Sequence, residues 1–139
     1  MVKDFDNLAL KGATLVERTM DVQSAIRAHK EWKDKFHVAM CRKAQFDLQE
    51  VAAADCCLFG KWLAQEGKAR FEGLSHYAHC VQVHSVFHQE ASVIAGLINQ
   101  GDFIEAERLL AYNSPYSTVS RELTGTMARM FQEESGDVE

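Results

Sequence analysis

The sequence predicts an all-α fold, and three observations carry that prediction. A single proline, Pro115, and eight glycines punctuate 139 residues, so little interrupts a helix. Apolar residues recur at alternating intervals of three and four over long stretches, the spacing of one buried helix face. Residues that start and stop helices (Asp102, Ser114 and Pro115 on one side, Gly101 on the other) stand where those stretches begin and end. The arrangement expected is an antiparallel four-helix-type bundle with a short extra helix that carries a cysteine pair.

The elements follow in order. Phe5, Leu8, Gly12, Leu15, Thr19, Val22, Ile26, His29, Lys33, Phe36 and Met40 form one stripe, which reads as one long amphipathic helix or two in series. Gly12 and Lys33 weaken it, and Gly12 offers a break point. Residues 1–20 are an N-terminal helical extension, suited to docking a partner or flanking the bundle. After a mixed segment, "DLQEVAAA" forms a short helix. Asp55 is expected to cap a helix over 56–66, ended by Gly67. A helix from about Phe71 to Gln100 is closed by Gly101, with Phe71, Leu74, Ala78, Val81, His84, His88, Ala91, Ala95 and Ile98 facing inward. Asp102 caps "FIEAERLLAY". Ser114 caps the last helix with Pro115 at its first position, running to about Phe131 through Val119, Leu123, Met127 and Met130. Residues 132–139 are read as a frayed polar tail. No repeat or linker divides the chain, so 1–139 is read as one domain.

Composition narrows the function. An apolar fraction of 47% and a charged fraction of 25% are those of a globular protein. No long apolar run suits a membrane span. Twenty acids against fifteen bases give a net charge of −5, and no basic cluster invites nucleic acid. Four cysteines without a signal-peptide-like N-terminus point to a reducing, cytoplasmic setting where thiols serve as ligands, sensors or core.

Six histidines matter through their placement. His29 shares a stripe with Val22, Ile26 and Phe36. His84 and His88 share one with Val81, Ala91 and Ala95. A buried imidazole without a partner costs about 1–3 kcal/mol, so something inside must receive these rings. Backbone carbonyls would serve a lone histidine. An inward His-x-x-x-His with a third histidine on a facing helix instead suits a metal, because an i, i+4 pair aims two nitrogens at one point. The segment reads "HSVFH" and lacks the glutamate of a metalloprotease helix, so hydrolysis loses support. A cysteine as fourth ligand would close a tetrahedral Cys-His₃ site, which zinc accepts and calcium or magnesium does not favour. Cys80, His84 and His88 would span about 12 Å along one helix, too far for one centre. Cys56 and Cys57 come from another element, and a first-turn cysteine sits where a thiolate is favoured. Periodicity does not choose between them, since they point about 100° apart.

"HKEW" at 29–32, "CLFGKW" at 57–62 and "HSVFH" at 84–88 resemble, in order and spacing, the motifs of the chemoreceptor zinc-binding (CZB) domain family. "GDFIEAERLL" and "SPYSTVSREL" look like its closing helices, and the resemblance covers residues of roughly 20 to 130. It implies zinc held by His29, Cys57, His84 and His88. Cys57 is selected because it stands three residues before Gly60 and five before Trp62, which leaves Cys56 as a neighbour. Trp32 and Trp62 would wall the site, and the cost of Gly60 in a helix, about 1 kcal/mol, would be offset by close approach to the bundle. His76 and His79 are read as surface residues, and His37, Cys41 and Cys80 receive no role. The resemblance further implies a cytoplasmic sensory domain, commonly a homodimer. It would respond to zinc or to oxidants such as hypochlorous acid at the zinc-bound cysteine, and signal to a chemoreceptor or a cyclic-di-GMP-making enzyme. No output segment accompanies it here, so the partner would act in trans or the chain is a piece of a longer protein. A closed four-ligand site implies no enzyme. The competing readings are a metal-free helical dimerisation or interaction module and a di-iron oxygen carrier; the latter lacks any His-x-x-x-Glu.

Overall fold

The three–four stripe of the first long segment folds as two helices in series, α1 (Val22–Lys30) and α2 (Trp32–Arg42). The computed structural model describes residues 22–135, without the side chains of Val22, Cys56, Glu134 and Ser135; the expected extension over 1–20 and its break at Gly12 lie outside the described residues. Glu31 separates the two helices but keeps helical angles, φ −70° and ψ −13°. The Lys35 amide still reaches the Glu31 carbonyl at 3.1 Å, so α2 continues α1 with a local distortion. Ala25, His29, Phe36 and Ala39 are buried, whereas Lys33, on the expected stripe, is exposed. Lys43 ends α2 in the left-handed region at φ 55°, its amide and that of Ala44 turning back to the last carbonyls.

The connection that follows is built from short pieces. Helix α3 (Leu48–Ala52) is capped by Asp47, whose carboxylate accepts from the Gln49 and Glu50 amides. A 3₁₀ turn over Ala54–Cys56 leads to α4 (Leu58–Ala64) and α5 (Glu66–Phe71). Two expectations are corrected here. Asp55 lies inside the 3₁₀ turn, and the cap of α4 is Cys57, extended at φ −89° and ψ 154°, whose sulfur accepts from the Gly60 amide. Gly67 does not end the helix: the chain kinks at Gln65, and Gly67 lies buried within α5, where a Cβ would stand 2.8 Å from the Trp62 ring.

Helix α6 (Tyr77–Asn99) begins later than expected from Phe71. The Glu133 carboxylate accepts from the Ser75 and His76 amides and the Ser75 hydroxyl and holds the chain in a turn just before it. Neighbours on several sides make its buried face broad. Cys80, Val83, His84, Phe87, His88, Ala91, Ile94, Ala95 and Ile98 are buried, while Ala78 and Val81, expected inward, are exposed. Gly101, at φ 81°, closes this helix. Asp102 caps α7 (Phe103–Leu109) by accepting from the Glu105 amide, and α7 stops short of Tyr112. Ser114 caps α8 (Pro115–Ser135) through the Ser117 amide at 3.1 Å, and α8 continues four residues past Phe131.

Helix α6 packs on α8, α3, α7 and α2, and α1 packs on α8. Phe36, Phe71, Phe87, Leu110, Leu123, Met127 and Met130 are fully buried between them. The described residues form helices and turns without a strand, and no described helix is long and apolar enough to cross a membrane. Asn99, at the end of α6, clasps the loop before α3. Its Oδ1 accepts from the Phe46 amide at 2.8 Å and its Nδ2 donates to the Phe46 carbonyl at 2.9 Å. Asn99→Ala removes the side-chain partners of both the Phe46 amide and the Phe46 carbonyl, and we expect it to cost about 1–3 kcal/mol, read as a lowered urea midpoint; an unchanged midpoint would show the clasp to be dispensable.

Candidate metal centre

Three elements bring four donors to one point. His29 stands in the last turn of α1, Cys57 at the start of α4, and His84 and His88 one turn apart on α6. The His84 Nε2 lies 3.2 Å from the Cys57 Sγ and 3.2 Å from the His88 Nε2. The Cys57 Sγ lies 4.0 Å from the His29 Nε2, and one donor atom from each residue falls within 4.8 Å of all the others. A tetrahedral ion with zinc-like bond lengths sets its ligand atoms about 3.3 Å (N to N) and about 3.5 Å (S to N) apart. The cluster is therefore close enough to hold one metal ion.

The hydrogen bonds around it fix which nitrogens face inward. His29 Nδ1 lies 2.9 Å from the Ala25 carbonyl, and His88 Nδ1 lies 3.0 Å from the Val51 carbonyl. A carbonyl only accepts, so both Nδ1 atoms carry the proton and both Nε2 atoms present lone pairs to the centre. This is the outer arrangement that orients metal-ligating imidazoles. The three rings are between 1% and 3% exposed. Burial holds all three neutral, pushing His29 down to about 4 and lowering His84 and His88 as well. A cation at the centre could draw on the His29 and His88 lone pairs and on the His84 Nε2 and Cys57 Sγ beside them.

An aromatic shell encloses the imidazoles. Phe59 packs edge-on against His29 and His84, with ring centroids 5.6 and 5.2 Å away, and Phe87 lies 5.2 Å from His29. Trp32 meets His88 edge-on at 6.4 Å. Trp62 is not part of the wall; it stacks behind Phe59 and against Phe131, one layer further out. Cys57 is the one ligand that is only half-buried. Together with His88 it lines a cleft of about 390 Å³ bordered by Trp32, Lys35, Phe46 and Glu50. On another side His84 and Gly60 line a more apolar cleft of about 520 Å³.

The four residues singled out from the sequence are thus brought together, and the other cysteines and histidines among the described side chains are not. Cys80 is fully buried on α6, where burial pushes its thiol up to about 12. Cys41 is exposed. His37, His76 and His79 face Glu107, Glu133 and Glu122 at 3.2, 2.9 and 3.0 Å. The Cys56 side chain lies outside the described residues. Sequence reasoning assigned no role to Phe59 and Phe87, since an aromatic residue by itself does not mark a site, and missed the Ala25 and Val51 carbonyls, which carry no side-chain signal. Comparisons with protein-family models, with curated proteins and with solved structures give no match.

Unfolding exposes imidazoles that take up protons below their ordinary value of 6.5, whereas the folded metal-free chain keeps His29 neutral down to about 4. The unfolded state therefore binds more protons across that window. Stability of the metal-free protein is expected to fall as pH drops from about 6.5 to 4, by at most about 1.4 kcal/mol per pH unit for each histidine. Urea unfolding in chelator-treated samples measures this, and a flat profile through the window would contradict neutral burial.

Proposed function

We propose that this chain is a zinc-binding sensory or regulatory domain of the CZB kind, with zinc held by His29, Cys57, His84 and His88. The observation that carries the reading is the convergence of three buried imidazole nitrogens and one sulfur at a spacing suited to a single tetrahedral ion. Zinc accepts this mixture of nitrogen and sulfur, whereas calcium and magnesium take oxygen ligands. Four protein ligands leave no position for a substrate, which favours regulation over catalysis. Bound zinc would join α1, α4 and α6 through one centre. The packing of α6 on α8, α3 and α2, and of α1 on α8, supports an antiparallel four-helix-type bundle in which α4 is the short extra helix at Cys57.

The signal in this reading is zinc itself or an oxidant such as hypochlorous acid, acting at the Cys57 sulfur. Its half-exposed position beside a solvent-facing cleft supports the sulfur as the point of attack, because the three imidazoles are almost fully buried. Oxidation of the thiolate to a sulfenic acid removes two electrons from the ligand and weakens it. Structural zinc in small peptides is bound by about 10–16 kcal/mol, so the loss of one ligand in four is a large change. Release of Cys57 would free the start of α4 from α6, a movement for a partner to read. The partner proposed is a second copy of the chain together with a chemoreceptor or a cyclic-di-GMP-making enzyme in the cytoplasm.

Elemental analysis should find about one zinc per chain. Cys57→Ser and His88→Ala should weaken zinc by more than the about 10–100-fold cost of losing an outer hydrogen-bond partner, while Cys56→Ser keeps the stoichiometry. Protein that takes up no metal after zinc is supplied under reducing conditions would return the cluster to a metal-free interaction module. Stoichiometric hypochlorous acid should release zinc and modify Cys57 first, as followed by a chromogenic chelator and mass spectrometry. Modification of Cys41 with zinc retained would count against oxidant sensing.

A further inference from the structure

We propose that Gly60 is the positioning residue of the Cys57 sulfur, and that its bare Cα, as much as the cysteine, decides whether sulfur joins the metal centre. Two independent contacts meet at this residue. Its amide donates to the Cys57 Sγ at 3.3 Å, which ties down one side of the sulfur and leaves the other toward His84 and His29. Its Cα is pressed between the connection and α6. A Cβ there would stand 1.8 Å from the Ala54 carbonyl oxygen and 3.0 Å from the His84 Cε1. The first obstacle is backbone and the second a ligand ring fixed in the core, so neither yields without moving α4 or His84. The requirement is for room, since the backbone at Gly60 is ordinary helix. Gly67, buried in α5, offers an internal comparison. A Cβ there would also be crowded, though less severely, 2.8 Å from the Trp62 ring, and Trp62 stacks on Phe59 one layer outside the ligand rings.

The 1.8 Å clash with the Ala54 carbonyl is the more severe, so a methyl group at position 60 should push α4 away from the connection and withdraw the sulfur, with at most a small shift of His84. The proposal rests on the zinc reading, and cobalt(II) as the metal probe separates the two. Wild-type protein loaded with cobalt should show both visible d–d bands and a near-ultraviolet sulfur-to-cobalt charge-transfer band; absence of any cobalt spectrum would remove the metal site itself. Gly60→Ala should keep d–d bands, lose most of the charge-transfer intensity and, as for loss of a ligand, bind zinc more weakly by more than about 10–100-fold. Gly67→Ala should lower the melting temperature but keep the charge-transfer band. A full band in Gly60→Ala, or its equal loss in Gly67→Ala, overturns the proposal. Should Gly60→Ala fail to fold, wild-type protein loaded with cadmium-113 decides the matter. Scalar coupling between the metal and the Gly60 amide proton is expected through the N–H···S bond, and its absence overturns the assignment.

Discussion

The rest of the structure depends on burying three neutral imidazoles and one sulfur around a single dry point. Each buried ring nitrogen must find a partner, since an unmet one costs as much as a lost hydrogen bond. Two of the outer nitrogens are met by backbone carbonyls, one from within α1 at Ala25 and one from α3 at Val51. The inner nitrogens are left facing each other and the sulfur. A cation held at this point would take donors from three separate helices, so its affinity would depend on the folded state.

That constraint explains why the chain between α2 and α6 is built from fragments. Helices of five and seven residues have no stability of their own in water, so α3 and α4 exist because of what they contact. Helix α3 lies on α6 and delivers the Val51 carbonyl to His88; Asp47 caps it, and Asn99 holds the preceding loop through Phe46. Helix α4 begins at Cys57 and presses Gly60 against Ala54 and His84. The same segment thus supplies one ligand, orients another and touches a third. The order of this segment and the order of the site are therefore coupled.

The shell also divides the ligands into two kinds. Phe59, Phe87 and Trp32 close over the imidazoles, while the sulfur lies at the edge of a cleft. Cys57 is the most exposed of the four, although His88 borders the same cleft. Cys80 shows the contrast within one helix: one turn from His84, it faces only core, and burial keeps it a thiol. Reactivity follows the thiolate and its exposure, not proximity along the chain.

The helical class, the stop of α6, the starts of α7 and α8, and the three inward histidines were legible in the sequence, because periodicity and capping chemistry are local or nearly local; the same periodicity left Cys56 and Cys57 open. Gly101, Asp102, Ser114 and Pro115 act within a turn or so of their own positions, and His84 and His88 are brought together by helix geometry alone. What the tertiary structure decided was everything that needs a partner from elsewhere. Position 57 caps α4 because its extended backbone and sulfur suit the turn against α6, so Asp55 lost that role. Gly67 stays inside a helix because Trp62 fills the space its side chain would need. Cys80, Val83 and Phe87 replaced Ala78 and Val81 on the buried face because α6 is enclosed on several sides, which a single stripe cannot express. The orientation of His88 depends on a carbonyl thirty-seven residues away, and a carbonyl leaves no mark on the sequence.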